Sequence, residues 1–150
     1  MYKHFLVPVD GTTLSTEVAK QAVKLAQQIG AKITFLYATP DFSATSDGAL
    51  LIAMAPDEFS KRASGDTTAI LASMSDLAKA GSVSFDTACD ISDHPYAAII
   101  KNAKKLGCDL IFMASHHDGG LRGLISGSQT EKVVRHSTIP VLVTTVTQAN

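Results

Sequence analysis

Apolar residues along this chain fall into two alternating patterns, short continuous runs and longer stretches with a helical period. Continuous runs are typical of parallel strands covered on both faces. They are found at residues 3–9, 31–38, 110–114 and 140–145. Apolar positions three or four residues apart predict helices. These cover residues 18–29, 57–80 and 95–106. Strands that alternate with helices favour a mainly parallel sheet with helices on both faces, an α/β fold.

Two further segments differ from these patterns. Residues 83–89 alternate between apolar and polar positions, which predicts a more exposed strand at the edge of the sheet. Residues 41–56 are rich in serine, threonine, aspartate, glycine and alanine without a clear period, which predicts a surface loop. Nothing in the chain resembles a linker between domains. We therefore expect a single domain over residues 1–150.

Composition and charge narrow the range of functions. The chain has 150 residues, of which 45% are hydrophobic and 18% charged, as in ordinary globular domains. A net charge of −1 gives no reason to expect a nucleic acid or a membrane surface as partner. No apolar run approaches the roughly 20 residues needed to cross a bilayer. The amino terminus resembles no signal peptide, and the two cysteines lack metal-ligand spacing, so we expect a cytoplasmic protein with reduced thiols.

The segment 109–143 carries the clearest chemical signal. Its sequence, DLIFMASHHDGGLRGLISGSQTEKVVRHSTIPVLV, predicts a buried strand, a glycine-rich loop, a helix and a second buried strand. Ser128 followed by Glu131 has the spacing of a capping box, which predicts a helix that begins at Ser128. The free N–H groups and the dipole of a helix N-terminus favour an anion. The sequence therefore predicts a phosphate-sized ligand near residues 127–130.

Several segments are similar to the universal stress protein family. They are FLVPVDGTTLS (5–15), SDHPYAAIIKNAKKLGCDLI (92–111) and IPVLVTT (139–145). Nucleotide-binding members of that family carry the pattern Gly-x2-Gly-x9-Gly-Ser/Thr after the fourth strand. On this chain the pattern falls on Ala114, His117, Gly127 and Ser128. The final Gly-Ser matches, whereas both earlier glycines are replaced.

The resemblance implies a Rossmann-like open sheet of five parallel strands in the order 3-2-1-4-5, like that of the adenine nucleotide alpha hydrolases. Ligands of such sheets bind at the carboxyl ends of the strands, where the direction of winding reverses. Here the loops after Val9 and Met113 would meet at that point. The resemblance further implies an adenine nucleotide, ATP or AMP, as a possible ligand, and we expect no requirement for a metal. The candidate binding residues are Pro8, Val9, Asp10, Ala38, Met113, Ala114, His117, Gly127, Ser128, Gln129 and Thr130.

Each candidate also has a purely structural interpretation. Asp10 could accept hydrogen bonds from adenine or ribose, or it could cap the next helix or bind its own turn. Pro8, Val9 and Ala38 could line the base pocket or belong to the core. Ser128 and Thr130 could offer hydroxyls to a phosphate, or Ser128 could act only as a cap. His117 could fill the space of a triphosphate, or its imidazole could bind a phosphate.

Signs of catalysis or of a metal site are weak. His116, His117 and Asp118 are adjacent, but no third histidine follows at a ligand spacing, so we interpret them as solvated loop residues. Nucleophile-elbow, P-loop lysine and H-E-x-x-H motifs are missing from the sequence, so we expect a protein that is not an enzyme. A slow ATPase or an autophosphorylating protein that uses Ser128 or Thr130 is the least favoured alternative.

The expected function is that of a small cytoplasmic stress-response protein, a dimeric sensor or regulator that binds an adenine nucleotide. The resemblance implies a homodimer through the last strand, residues 140–145. Its apolar edge has no lysine and no interior proline to guard it, which favours this contact. In the alternative, His117 has abolished nucleotide binding and the protein acts by association with another protein, whose identity the sequence does not indicate.

Overall fold

The structure, a computed structural model, describes residues 1–39, 56–115 and 127–146, and their side chains except those of residues 39, 56–65 and 115. Strands and helices alternate throughout these ranges. The strands are β1 (His4–Val9), β2 (Lys32–Thr39), β3 (Phe85–Ile91), β4 (Leu110–Ser115) and β5 (Val141–Thr145). The helices are α1 (Thr13–Ile29), α2 (Pro56–Ala80), α3 (Pro95–Lys105) and α4 (Gly127–His136).

The five strands form one parallel sheet in the order β3-β2-β1-β4-β5. This confirms the predicted order 3-2-1-4-5. The chain winds outward from β1 through β2 to β3 and then crosses back to β4 on the other side of β1. The carboxyl ends of β1 and β4 therefore lie side by side where the winding reverses.

The core has two layers because neighbouring side chains of a strand point to opposite faces of the sheet. On one face, Phe5 and Val7 of β1 pack beneath apolar residues of α1 and α2. On the other face, Leu6 of the same strand packs with Ile99 of α3 and Val133 of α4. The prediction of helices on both faces is thus confirmed.

Details of the elements differ modestly from the sequence predictions. The edge strand β3 begins at Phe85, two residues later than predicted, and it does lie at an edge of the sheet. Most of the predicted loop at 41–56 lies outside the described residues. No helix in the described ranges is long and apolar enough to cross a membrane.

Candidate functional site

Asp10 follows β1 directly and organises the first turn at the carboxyl edge of the sheet. Its Oδ1 accepts hydrogen bonds from the backbone N–H of Thr12 at 3.0 Å and from the Thr12 hydroxyl at 2.6 Å. Thr12 is the N-cap residue of α1, since its Oγ1 accepts from the N–H of Ser15 at 3.2 Å. The alternative of a turn aspartate is therefore confirmed, and the cap is Thr12, a residue that the sequence analysis missed. Its position directly before an apolar helical period was the available signal.

Gly11 is the point at which this turn approaches α2. Its φ of +81° lies in the left-handed region that favours glycine. A Cβ at this position would lie 2.7 Å from Cδ1 of Ile70, which projects from α2. The turn that carries Asp10 is thus packed against an apolar side chain of the helix above it.

Side chains of α4 hold the end of β4 at this edge. Thr130 is 4% exposed, and its hydroxyl donates to the carbonyl oxygen of Ala114 at 2.7 Å. Oε1 of Gln129 accepts from the backbone N–H of Tyr96, in the first turn of α3, at 3.1 Å. These two contacts attach the start of α4 to the end of β4 and to the start of α3. The hydroxyl proton of Thr130 and Oε1 of Gln129 are therefore engaged within the protein.

The helix start predicted in this region is present, but its capping pattern is not the predicted one. The helix begins at Gly127, one residue before the predicted start at Ser128, so Ser128 lies inside the first turn. Glu131, the other half of the predicted box, accepts instead from Arg135 at 3.0 Å. Arg135 follows Glu131 by four residues, so this competing ion pair was visible in the sequence as well.

A small hollow lies where the turn after β1 and the start of α1 meet the end of β4. It is lined by Pro8, Asp10, Thr12, Leu14, Ser15, Val18 and Ala114. The predicted proximity of the end of β1 to the end of β4 is thereby observed. The volume of the hollow is about 10 Å³, which is room for about one water molecule. A nucleotide at this edge would have to lie above the hollow and not inside it.

The remaining predicted site residues divide into core positions and positions without a description. Val9 and Met113 are each 1% exposed and Ala38 is 7% exposed, so their side chains belong to the core. Gly127 is the first residue of α4 and is partly exposed. His117 lies outside the described residues, as do His116 and Asp118.

Tyr37 is a polar residue at this edge that the sequence analysis missed. It is the register partner of Val9 at the carboxyl end of β2. Burial raises the pKa of the Tyr37 phenol, and the nearby charges of Asp10 and Asp66 raise this pKa further. The phenol is therefore protonated at neutral pH and lies within the electrostatic reach of two carboxylates. Its position one residue before Ala38, on the opposite face of the strand, was the signal available in the sequence.

This arrangement defines a class of protein: open α/β proteins whose first and fourth strands end beside a helix N-terminus, at the reversal point where such sheets bind ligands. Comparison with known sequences gives the particular family. The chain belongs to the Universal stress protein family, whose profile matches residues 1–145. A curated relative, Universal stress protein YxiE of Bacillus subtilis, is 28% identical over 147 residues, which cover 95% of this chain and 99% of that protein.

Solved structures show the same architecture. The universal stress protein UspA from Lactobacillus plantarum aligns with a TM-score of 0.74 at 24% identity, over 95% of this chain and 97% of its own. The universal stress protein from Archaeoglobus fulgidus in complex with dAMP aligns with a TM-score of 0.66 at 14% identity, over 95% and 97%. At these identities the likeness shows the fold.

Proposed function

We propose that this protein is a cytoplasmic stress-response regulator that binds an adenine nucleotide at the carboxyl edge of its sheet. The observation that carries the proposal is the hollow between the turn after β1 and the end of β4, which is lined by both Asp10 and Ala114 at the reversal point. Family membership and the dAMP complex of a relative with the same fold support it. The chain also retains Gly127 and Ser128, the last two positions of the family's nucleotide pattern.

The charges at this edge suggest how the ligand would be oriented. The side next to α2 carries the carboxylates of Asp10 and Asp66, and both of these charges act on the Tyr37 phenol. Carboxylates accept hydrogen bonds from ribose hydroxyls or from the amino group of adenine. The first turn of α4 offers backbone N–H groups and the positive end of a helix dipole. The nucleoside would therefore lie toward Asp10 and the phosphate toward Gly127.

The length of the phosphate chain is the next question. Thr130 already occupies the carbonyl of Ala114, and the Ala114 methyl lines the hollow where the family pattern has glycine. His117 replaces the second glycine of that pattern. Both replacements add bulk where a long phosphate chain would need close approach to the backbone. We therefore favour AMP over ATP as the ligand.

A second candidate function is association with a protein partner without a nucleotide. It is favoured by the 10 Å³ volume of the hollow and by the internal bonds of Asp10, Gln129 and Thr130. In this candidate the former ligand edge is closed by the protein's own contacts.

Nucleotide content and affinity separate the two candidates. The purified protein would be denatured and the released small molecules chromatographed, and AMP and ATP would then be titrated by calorimetry. Asp10→Asn keeps an Oδ1 that can accept from Thr12 but removes the charge, so AMP affinity should fall about tenfold or more. Asp76→Asn, an exposed position on α2, is the matched control. Failure of the wild type to retain or bind either nucleotide would exclude the first candidate.

A homodimer through β5 is part of the same proposal. β5 is an edge strand, and Val143 on it is 40% exposed, so its unpaired backbone groups and apolar side chain are available to a second copy. Val143→Lys introduces a charge at that edge and should convert dimers to monomers in sedimentation velocity. Exposed Val134 of α4 gives the control Val134→Lys, which should leave the oligomeric state unchanged. An equal response of both variants would contradict the β5 interface.

A further inference from the structure

A second cavity lies at the amino edge of the sheet, at the opposite ends of the strands from the candidate nucleotide site. It has a volume of about 450 Å³, within the range of about 300–1,000 Å³ that small-molecule sites occupy. The strands that line it supply His4, Lys32, Thr34, Asp86 and Ala88, and Leu106 contributes from the end of α3. We call it the amino-edge groove.

The groove exists because of the way α3 covers the sheet. The helix packs on β1 and β2, and at the carboxyl half of β3 Nδ2 of Asn102 donates to Asp90 at 2.7 Å, while Lys101 pairs with the same carboxylate at 2.8 Å. In the middle of β3, Ala88 supplies only a methyl group, and Leu106 is the residue that caps the end of α3. The walls are therefore strands and a helix end, elements that hold their positions without a ligand.

The charges of the groove cancel. Nζ of Lys32 lies 2.5 Å from Oδ2 of Asp86, so the cation and the anion neutralise each other. His4 is held by a hydrogen bond of 2.7 Å between its Nε2 and Oγ1 of Thr34. Burial, and after it the charge of Lys32, lowers the pKa of His4, against smaller opposite effects of Asp109 and Asp86. The imidazole is therefore uncharged at neutral pH, and the groove has no net charge to attract an ion.

Polar and apolar groups nevertheless face the same space. Lys32 can donate hydrogen bonds, Asp86 can accept them, and both side chains remain partly exposed. Leu106, which is 37% exposed, and Ala88 offer an apolar surface beside them. Paired donors and acceptors next to an apolar wall complement a molecule with several hydroxyl groups and one apolar face.

From this combination we infer that the amino-edge groove binds a neutral polyhydroxyl molecule of monosaccharide size. Its hydroxyls bridge Lys32 and Asp86, and its apolar face lies on Leu106 and Ala88. The site is separate from the candidate nucleotide site and does not depend on nucleotide binding.

The test uses the full chain labelled with ¹⁵N and follows the backbone amides of Thr87 and Ala88. D-Ribose and D-glucose are titrated as neutral probes, with inorganic phosphate and tetramethylammonium as charged ones. At least one sugar should produce saturable shifts at these amides with a Kd on the order of millimolar. Ala88→Leu fills the groove and should weaken the binding of that sugar about tenfold or more. Asp86→Ala removes the main acceptor and should weaken it as well, whereas the control Asp76→Asn should not.

Three results would overturn the inference. The first is that neither sugar shifts these amides. The second is a response to phosphate or tetramethylammonium that exceeds the response to both sugars. The third is that the sugar affinity of Asp86→Ala is unchanged. The fold of this variant is checked by circular dichroism. It also keeps the test valid if Ala88→Leu does not fold.

Discussion

Replacement of Gly11 by alanine tests whether the turn after β1 is held in place by α2. The residue has a φ of +81°, and a Cβ there would lie 2.7 Å from Cδ1 and 3.1 Å from Cγ1 of Ile70. The substitution therefore has two costs, one from the backbone conformation and one from the contact. Gly30, the residue that ends α1, isolates the first cost, because its φ is +72° and a Cβ there would meet nothing within 4 Å.

The magnitudes follow from these geometries. An L-residue in the left-handed region costs about 1–2 kcal/mol. Alanine also lowers the conformational entropy of the unfolded chain, which stabilises the folded state by about 0.4–1 kcal/mol. Gly30→Ala should therefore destabilise the protein by about 1 kcal/mol. Gly11→Ala adds crowding, which costs about 1–3 kcal/mol in packed regions. Because Cδ1 is the movable end of Ile70, we expect the low end and a total of about 2 kcal/mol, or about 4–8 °C in Tm.

Urea unfolding followed by far-ultraviolet circular dichroism is the appropriate assay, since the chain has no tryptophan. Ile70→Val removes Cδ1. The double variant Gly11→Ala/Ile70→Val should therefore be about 1 kcal/mol more stable than the sum of the two single-variant effects predicts, because the crowding is relieved. The reasoning is refuted if Gly11→Ala costs no more than Gly30→Ala. It is refuted equally if the double-mutant cycle shows no coupling between Gly11 and Ile70.

Three other predictions concern His4, Thr130 and His117. Because the pKa of His4 is lowered on folding from 6.5, the unfolded chain binds more protons than the folded one, and the free energy of unfolding should fall as the pH is lowered through the range around 6.5. His4→Gln should show a smaller slope in urea titrations over that range, and an equal slope would exclude His4 as the source. Thr130→Val removes the bond to Ala114 and should destabilise by about 1–2 kcal/mol, whereas Thr130→Ser should keep most of it, and equal losses would assign the effect to packing. His117→Gly should strengthen ATP binding in calorimetry if bulk is the obstacle; unchanged affinity would remove that explanation, and weaker binding would make the imidazole a phosphate ligand.

The fold could be predicted from the sequence because its three central strands, β1, β2 and β4, are buried on both faces. Continuous apolar runs such as residues 110–114 occur in strands that helices cover on both faces of the sheet. This pattern alone predicts a parallel sheet. The order of the strands in the sheet could not be predicted from the apolar pattern. Periodicity says nothing about which strand lies beside β1, so the order 3-2-1-4-5 came only from the resemblance to a family. The edge position of β3 was again visible in its alternating pattern.

The candidate site was less accessible to sequence reasoning, because its side chains bind partners that are distant in the chain. Gln129 binds Tyr96, which is 33 residues away, and Thr130 binds the carbonyl of Ala114. No local spacing encodes such contacts. Asp10 is the exception, since its partner Thr12 is two residues away and the aspartate-turn pattern is a local one.

These internal bonds change which atoms of α4 could recognise a phosphate. Oε1 of Gln129 and the hydroxyl proton of Thr130 serve the packing of the helix, so under the proposed function the anion would be bound chiefly by backbone N–H groups of the first turn. Backbone donors are insensitive to side-chain identity but sensitive to where the helix begins. The bond from Thr130 to Ala114 would therefore affect AMP affinity by fixing the position of the first turn of α4. If so, Thr130→Val should weaken AMP binding together with stability, and a loss of stability with unchanged AMP affinity would contradict this role.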